Sequence, residues 1–214
     1  ISIWYFKTFG TIVFLKLSFF YILTLTFNFI YRINNFRDLA KKYNIKYKFI
    51  YSTDDKHLLK NINKNKKKFS LLITNHILKK KILNKQNHFF INKHSSLLPS
   101  CKGLMPYLWT KIYNIDNGIT FHLVNKKIDS GKIIYQKKFK KKFQSMIGFY
   151  LHIFDIFPNT FLQALRNLEK KKFIKSKNKK SYYSLPNKKD YNNFLKKNGN
   201  IILLSDFFKI NKLI

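Results

Sequence analysis

Short apolar runs alternate with helical patterns through the first half of the chain. Residues 45–51 alternate apolar and polar side chains, which predicts a strand with one buried face. Residues 69–73 and 88–92 are short and mostly apolar, as strands inside a parallel sheet are. Helical patterns over 52–62 and 76–83 separate these strands. The order strand, helix, strand, helix, strand predicts an α/β fold with a mostly parallel sheet.

The second half of the chain predicts that this sheet becomes mixed. Residues 106–113 have a helical pattern with Pro106 near its start. Residues 119–124 and 132–136 alternate as strands, and their short connection predicts a hairpin, whose strands run antiparallel. Helical periodicity returns over 154–173.

The two ends of the chain are harder to interpret. Residues 12–31 are strongly apolar, but polar residues interrupt a run that is barely long enough to span a membrane. A buried or partner-covered helix, a membrane-associated helix and a processed segment all remain open there, although no small-residue cleavage site follows. Residues 37–43 predict a short helix. Residues 181–214 are expected to be an irregular extension of a single domain over 1–180, ending in a short helix.

Composition adds a strong positive charge and excludes some chemistry. The chain has 43 Lys and Arg against 9 Asp and Glu, a net charge of +34. This charge indicates either a polyanionic partner or an AT-rich coding sequence that inflates Lys, Asn, Ile, Phe and Tyr together. The single cysteine, Cys101, excludes an intramolecular disulfide and a Cys-rich zinc site, so a reducing, cytoplasmic compartment is expected. His57, His76, His88 and His152 lack the spacing of metal ligands, so no metal is expected. His122 is interpreted as a wall residue of its strand.

A polar pair at the end of an apolar strand is the leading candidate for chemistry. Asn92 and His94 are two residues apart, so their side chains project from one face of an extended chain. Among the nine acidic residues, Asp129 stands out at the end of a strand pattern. Such a trio can support attack by an amine on an acyl group: the Asp aligns the His and accepts a proton, while His⁺ and Asn stabilise the oxyanion. On spacing alone, a structural role for the pair remains open.

The chain contains four distinctive sequence blocks, namely Asn92-Lys93-His94-Ser95-Ser96-Leu97-Leu98-Pro99, Gly103 with Pro106, Gly118-Ile119-Thr120-Phe121-His122, and Ile128-Asp129-Ser130-Gly131-Lys132-Ile133-Ile134. Together these blocks resemble the folate-dependent formyltransferase family, whose members include glycinamide ribonucleotide, methionyl-tRNA and amino-sugar formyltransferases. The blocks follow the family's order, and weaker likeness continues into 182–194. The resemblance implies a Rossmann-like catalytic domain over 1–180, with 181–214 as a C-terminal extension.

The resemblance also implies a reaction and a site. The formyl donor would be 10-formyltetrahydrofolate, and Asn92, His94 and Asp129 would be catalytic. The cofactor-binding residues would be a loop beside the pterin and two residues that wall its pocket, namely Asn125, Lys126, Lys127, Ile128, Leu72 and Ile73. The acceptor would be a primary amine on an amino-sugar nucleotide-like molecule or on methionyl-tRNA, and nucleic-acid binding stays open.

Departures from the family pattern leave an alternative open. The family begins with a strand and a Gly-rich turn that residues 1–10 do not supply, so the first strand is expected to be missing before Ile1. Residues 12–31 would then be a family-specific helix rather than a membrane span. Cys101 and Lys102 stand where many relatives carry aromatic and Arg residues. No barrel domain of the methionyl-tRNA type is recognisable after about residue 180, which favours a small acceptor. The alternative is a truncated, non-catalytic family remnant or a basic RNA- or membrane-binding module.

Overall fold

The computed structural model describes residues 2–30, 35–48, 60, 62, 69–72, 78, 80–83 and 88–210, and a mixed sheet lies at its centre. The strands are β1 (Phe69–Leu72), β2 (Phe89–His94), β3 (Lys102–Gly103), β4 (Gly118–Leu123), β5 (Ile133–Lys138) and β6 (Tyr182–Tyr183). Four of them form the central sheet in the order β1-β2-β4-β5. β1 and β2 are parallel, whereas β2 with β4 and β4 with β5 are antiparallel. The predicted change from parallel to mixed pairing is confirmed, and it begins at β2.

Eight helices are described around this sheet. They are α1 (Ser2–Phe9), α2 (Thr11–Ile30), α3 (Phe36–Lys42), α4 (Lys80–Leu83), α5 (Pro106–Ile112), α6 (Met146–Glu169), α7 (Lys188–Lys196) and α8 (Leu204–Ile210). The predictions for α3 and α5 are confirmed to within a residue or two. α6 begins earlier than residue 154 because Ser145 caps it, accepting a hydrogen bond from the Gly148 N–H at 2.9 Å.

Helices and loops cover both faces of the sheet, as an α/β fold requires. Ile91 and Phe121 project to one face, where they pack in the main core with Phe149 of α6. Phe90 projects to the other face and packs with Leu78 and Ile82. Since successive side chains of a strand alternate between faces, the Phe90–Ile91 pair anchors β2 in both layers.

The strand predicted over 45–51 does not form over 45–48. Asn44 adopts a left-handed φ of 51°, and the N–H of Ile45 donates to the Ala40 carbonyl at 2.7 Å, which closes the end of α3. Ile45 and Tyr47 remain exposed, so their alternation with lysines marks no buried face. Residues 49–51 and most of the predicted helix over 52–62 lie outside the described residues, as do 76, 77 and 79 of the next predicted helix.

The segment after residue 180 is regular and packed, so the expectation of an irregular extension is wrong. β6 pairs in parallel with β3, and α7 buries Tyr191 and Phe194 in the main core. α8 is held by Asp206, whose fully buried carboxylate accepts a hydrogen bond from Ser145 Oγ at 2.6 Å. These contacts cross the boundary at 180, and the division into 1–180 and 181–214 stays a prediction.

Within the part of the chain that the structure describes, no helix is long and apolar enough to cross a membrane. α2 occupies most of the apolar run over 12–31. It packs Val13 and Leu17 against the main core and leaves its opposite face exposed.

Candidate functional site

β2 and β4 place two pairs of polar side chains next to one another. The antiparallel register sets Asn92 opposite His122 and His94 opposite Thr120. Directly opposed residues of neighbouring strands project to the same face of the sheet. Thr120 ties the loop after β2 to the sheet, because its hydroxyl donates to the Ser96 carbonyl at 2.6 Å and accepts from the Leu98 N–H at 3.1 Å.

Asp129 reaches this cluster from the turn between β4 and β5. Its φ is 44°, in the left-handed region where Asp is one of the few tolerated residues other than Gly. A Cβ at Gly131 would lie 1.5 Å from the Leu123 carbonyl oxygen, so only glycine lets the turn pack against the end of β4. The Gly103 N–H donates to Asp129 Oδ2 at 2.9 Å. Backbone geometry therefore fixes where the carboxylate lies.

Two imidazole rings face the two oxygens of that carboxylate. His94 Nδ1 lies 3.5 Å from Asp129 Oδ2, and His122 Nε2 lies 3.6 Å from Asp129 Oδ1. Asn92 Nδ2 lies 3.4 Å from His122 Nε2. The side chains of His94, His122 and Asp129 are 7%, 2% and 10% exposed. The structure thus brings Asn92, His94 and Asp129 together, with His122 as a fourth member.

Backbone carbonyls determine which ring nitrogens carry a hydrogen. His94 Nε2 lies 2.8 Å from the Cys101 carbonyl oxygen, and His122 Nδ1 lies 2.9 Å from the Leu123 carbonyl oxygen. A carbonyl oxygen only accepts, so we assign a hydrogen to each of these two nitrogens. In the neutral rings, His94 Nδ1 and His122 Nε2 then carry lone pairs, and Asn92 donates to the latter. In each ring, the nitrogen that faces Asp129 is therefore the one that can take up a proton.

Burial and charge set the protonation states of the cluster. Burial lowers the pKa of His94, although the Asp129 charge and the bond to Cys101 oppose it. Burial acts to raise the pKa of Asp129, but the contact with His122, the charge of His94 and the Gly103 N–H outweigh it and lower that pKa to about 2. At neutral pH the cluster is an ionised Asp129 beside a neutral His94, an arrangement suited to accepting a proton.

Several of the residues predicted to hold folate lie beside this cluster. Asn125, Lys126, Lys127 and Ile128 form an exposed turn directly before Asp129. Leu72 pairs in register with Asn92 and packs, like Val124, against the cluster of Leu78, Ile82 and Phe90. An apolar wall thus adjoins a polar loop, which fits a planar heteroaromatic ring with a polar edge. Ile73 lies outside the described residues.

The interpretation of His122 as a wall residue is incomplete, since it is buried but also contacts Asn92 and Asp129. A signal was present in the sequence: Thr120 and His122 repeat on β4 the two-residue spacing of Asn92 and His94 on β2. The Cys101 carbonyl and the Gly103 N–H carry no such signal because they are backbone groups. Among the described residues, no group of three or more His, Cys, Asp or Glu side chains could hold a metal ion.

Comparison with known proteins finds similarity to formyltransferases over part of the chain. Residues 51–142 match the family model described as formyl transferase. The methionyl-tRNA formyltransferase of Borrelia garinii subsp. bavariensis is 34% identical over 97 residues, which are 44% of this chain and 30% of that relative. The chain therefore spans about a third of the length of the curated relatives it matches.

Two solved structures show that the fold is shared. A sugar N-formyltransferase from a Shewanella species has a TM-score of 0.54 at 19% identity, covering 68% of this chain and 65% of that one. The formyltransferase PseJ of Anoxybacillus kamchatkensis, solved with UDP-4,6-dideoxy-4-formamido-L-AltNAc and tetrahydrofolate, has a TM-score of 0.52 at 23% identity, covering 75% of this chain and 84% of that one. The Rossmann-like α/β fold is thereby confirmed.

Proposed function

We propose that the chain is a folate-dependent formyltransferase, an enzyme that moves the formyl group of 10-formyltetrahydrofolate to a primary amine. The observation that carries the proposal is the buried Asp129 carboxylate, with His94, His122 and Asn92 grouped around it. Support for the donor comes from PseJ, whose structure contains tetrahydrofolate. In our proposal the turn over 125–128 contacts the polar edge of the pterin, and Leu72 lines the pocket.

The proposed reaction uses each member of the cluster. The amine lone pair forms a bond to the formyl carbon, and the carbonyl oxygen gains negative charge. The second N–H of Asn92, which His122 leaves free, donates to that oxygen. The amine loses its proton to the site formed by His94 and Asp129. The bond between the formyl carbon and the folate nitrogen then breaks, and that nitrogen takes up a proton.

His94 acts through its charge in this scheme. Both of its ring nitrogens face protein oxygens, those of Cys101 and Asp129, so no N–H is left for the substrate. A proton taken up on Nδ1 lies between the ring and the Asp129 carboxylate. The resulting imidazolium stabilises the negative oxygen in a site with little solvent, where electrostatic interactions are strong.

We propose a phosphorylated amine as the acceptor. Lys102 Nζ donates to Ser130 Oγ at 2.5 Å, which holds one ammonium group beside Asp129. Further lysines flank Asp129 in sequence, namely Lys126, Lys127 and Lys132. A phosphate-bearing amine complements this charge, and amino-sugar nucleotides and methionyl-tRNA both fit that description. A non-catalytic family remnant is the alternative, and the cytoplasmic location stays a prediction.

Asp129→Asn tests the proposed function. We expect kcat/KM for formyl transfer to fall by about 10²- to 10⁴-fold, the usual contribution of a positioned acid or base. Asp116→Asn is the matched control, because Asp116 is 60% exposed and its carboxylate pairs with Lys138 at the surface. Product from amino-sugar nucleotides and from methionyl-tRNA is measured by mass spectrometry. Equal turnover by Asp129→Asn and the control would overturn the assignment.

A further inference from the structure

One face of α2 exposes a continuous row of large apolar side chains. The row, here called the outer stripe, consists of Ile12, Leu15, Phe19, Ile22, Leu25 and Phe29, with exposed fractions of 71%, 60%, 53%, 56%, 47% and 80%. Most of these residues recur at intervals of three and four, so they share one side of the helix. Exposed apolar patches of this size on a folded protein usually mark a contact surface.

The opposite side of the same helix is already packed. Val13 and Leu17 lie against the main core, and the Phe20 ring lies 5.1 Å from the ring of Phe207 on α8. These three positions are about half a turn away from the outer stripe. Apart from Phe19 at its edge, the outer stripe is therefore turned away from the contacts that hold α2 to the rest of the described chain.

α8 extends the apolar surface. Phe207 also contacts Phe19 at 5.6 Å, so α8 lies alongside the outer stripe. Leu204 and Phe208, one turn apart on α8, are 71% and 74% exposed. Two neighbouring helices thus expose large apolar side chains in the same region.

We propose that the outer stripe docks on the surface of an anionic lipid bilayer, with α2 lying in the plane of the interface. Such helices bury one apolar face at the boundary between headgroups and acyl chains, and nearby basic residues add attraction to anionic lipid. A crossing orientation does not fit, because none of the described helices meets the length and hydropathy that a membrane span needs.

Charge distinguishes lipid from a second copy of the chain. Asp38 is the only acidic residue among the first 48, whereas the basic residues there include Lys7, Lys16, Arg37, Lys41, Lys42, Lys46 and Lys48. Two copies that met through the outer stripe would bring together chains of net charge +34 each. An anionic membrane surface attracts the same charge, and the attraction falls off within a Debye length.

Vesicle sedimentation with the full chain tests the docking surface. We expect binding to vesicles of phosphatidylcholine mixed with phosphatidylglycerol, weaker binding as salt rises, and little binding to phosphatidylcholine alone. The double variant Phe19→Glu, Ile22→Glu removes two apolar contacts and adds two negative charges, so its binding should fall by about tenfold or more.

The control applies the same charge change elsewhere on the surface. Phe154→Glu, Leu162→Glu alters two α6 side chains that are 58% and 52% exposed, and this variant should bind vesicles nearly as well as the wild type. Circular dichroism shows whether both variants keep the fold. The proposal is overturned by three results: no binding to the anionic vesicles, equal loss of binding in both double variants, or equal binding to neutral vesicles. A wild-type dimer that the α2 variant abolishes, without vesicle binding, would instead assign the stripe to a second copy.

Discussion

His122→Phe removes the fourth member of the cluster while keeping a ring of similar size on β4. His122 is 2% exposed. Because the Phe ring fills a similar volume, little cavity forms, and the loss of the polar contacts of His122 dominates the effect. Three contacts disappear: the hydrogen bond to the Leu123 carbonyl at 2.9 Å, the contact with Asn92 at 3.4 Å and the contact with Asp129 at 3.6 Å.

The size of the effect follows from these contacts. A Leu123 carbonyl left without its donor costs about 1–3 kcal/mol of unfolding free energy. Without His122, burial raises the pKa of Asp129 from its value of about 2. We expect kcat/KM to fall by about 10- to 100-fold, part of the ~10²–10⁴ that a positioned acid or base contributes. That loss corresponds to about 1.4–2.7 kcal/mol of transition-state stabilisation.

The assay is kcat/KM against pH for the wild type and two variants. His88→Phe is the matched control, because His88 contacts Ser70 Oγ at 2.8 Å and the Phe90 ring at 4.9 Å, away from Asp129. The acid limb of the profile should move to higher pH in His122→Phe only, since Asp129 is then protonated more easily. A His122→Phe profile that matches the His88→Phe profile in both limb and height would refute a positioning role.

Two stability predictions concern the turn that carries Asp129. Gly131→Ala places a Cβ 1.5 Å from the Leu123 carbonyl oxygen. The free energy of unfolding, measured in urea, should therefore fall by more than about 3 kcal/mol. Ser130→Ala is the control, and a loss in Gly131→Ala no larger than in that variant would contradict the packing described. The pKa of Asp129 is depressed from 3.8 to about 2, so its contribution to stability is present above pH 3.8 and is lost as the pH falls through 2. After allowance for solvent screening, the wild type should exceed Asp129→Asn by about 1–2 kcal/mol near neutral pH. That difference should shrink between pH 4 and pH 2, and a constant difference would contradict the depressed pKa.

The central strands were predictable because burial imposes a clear pattern on them. β1, β2 and the β4–β5 hairpin lie where the apolar runs place them, and His94 lies 3.5 Å from Asp129. The catalytic roles of Asn92, His94 and Asp129 stay a prediction. The strand predicted over 45–51 does not form in its described part, residues 45–48. Lysines alternate with apolar residues there, but neither side of the segment is buried, so the alternation reflects composition. A periodic pattern is informative only when tertiary packing covers one of its sides.

Register and backbone groups account for most of what the sequence could not predict. The contact of His122 with Asn92 depends on which residue of β4 stands opposite β2, and a slip of one position would turn His122 to the other face. The Gly103 N–H reaches Asp129 from β3, whose partner strand β6 lies far along the chain. The exposure of the outer stripe likewise depends on where α8 packs.

Formyl transfer by this chain, the function proposed above, can be tested through the stoichiometry of its two products. The full chain is incubated with 10-formyltetrahydrofolate and a phosphorylated amine acceptor, and both products are quantified by mass spectrometry. We expect formylated amine and tetrahydrofolate in equal amounts, with both lost in Asp129→Asn and retained in Asp116→Asn. Folded protein that forms no formylated amine from any acceptor, or forms it equally well without the Asp129 carboxylate, would contradict the proposed function.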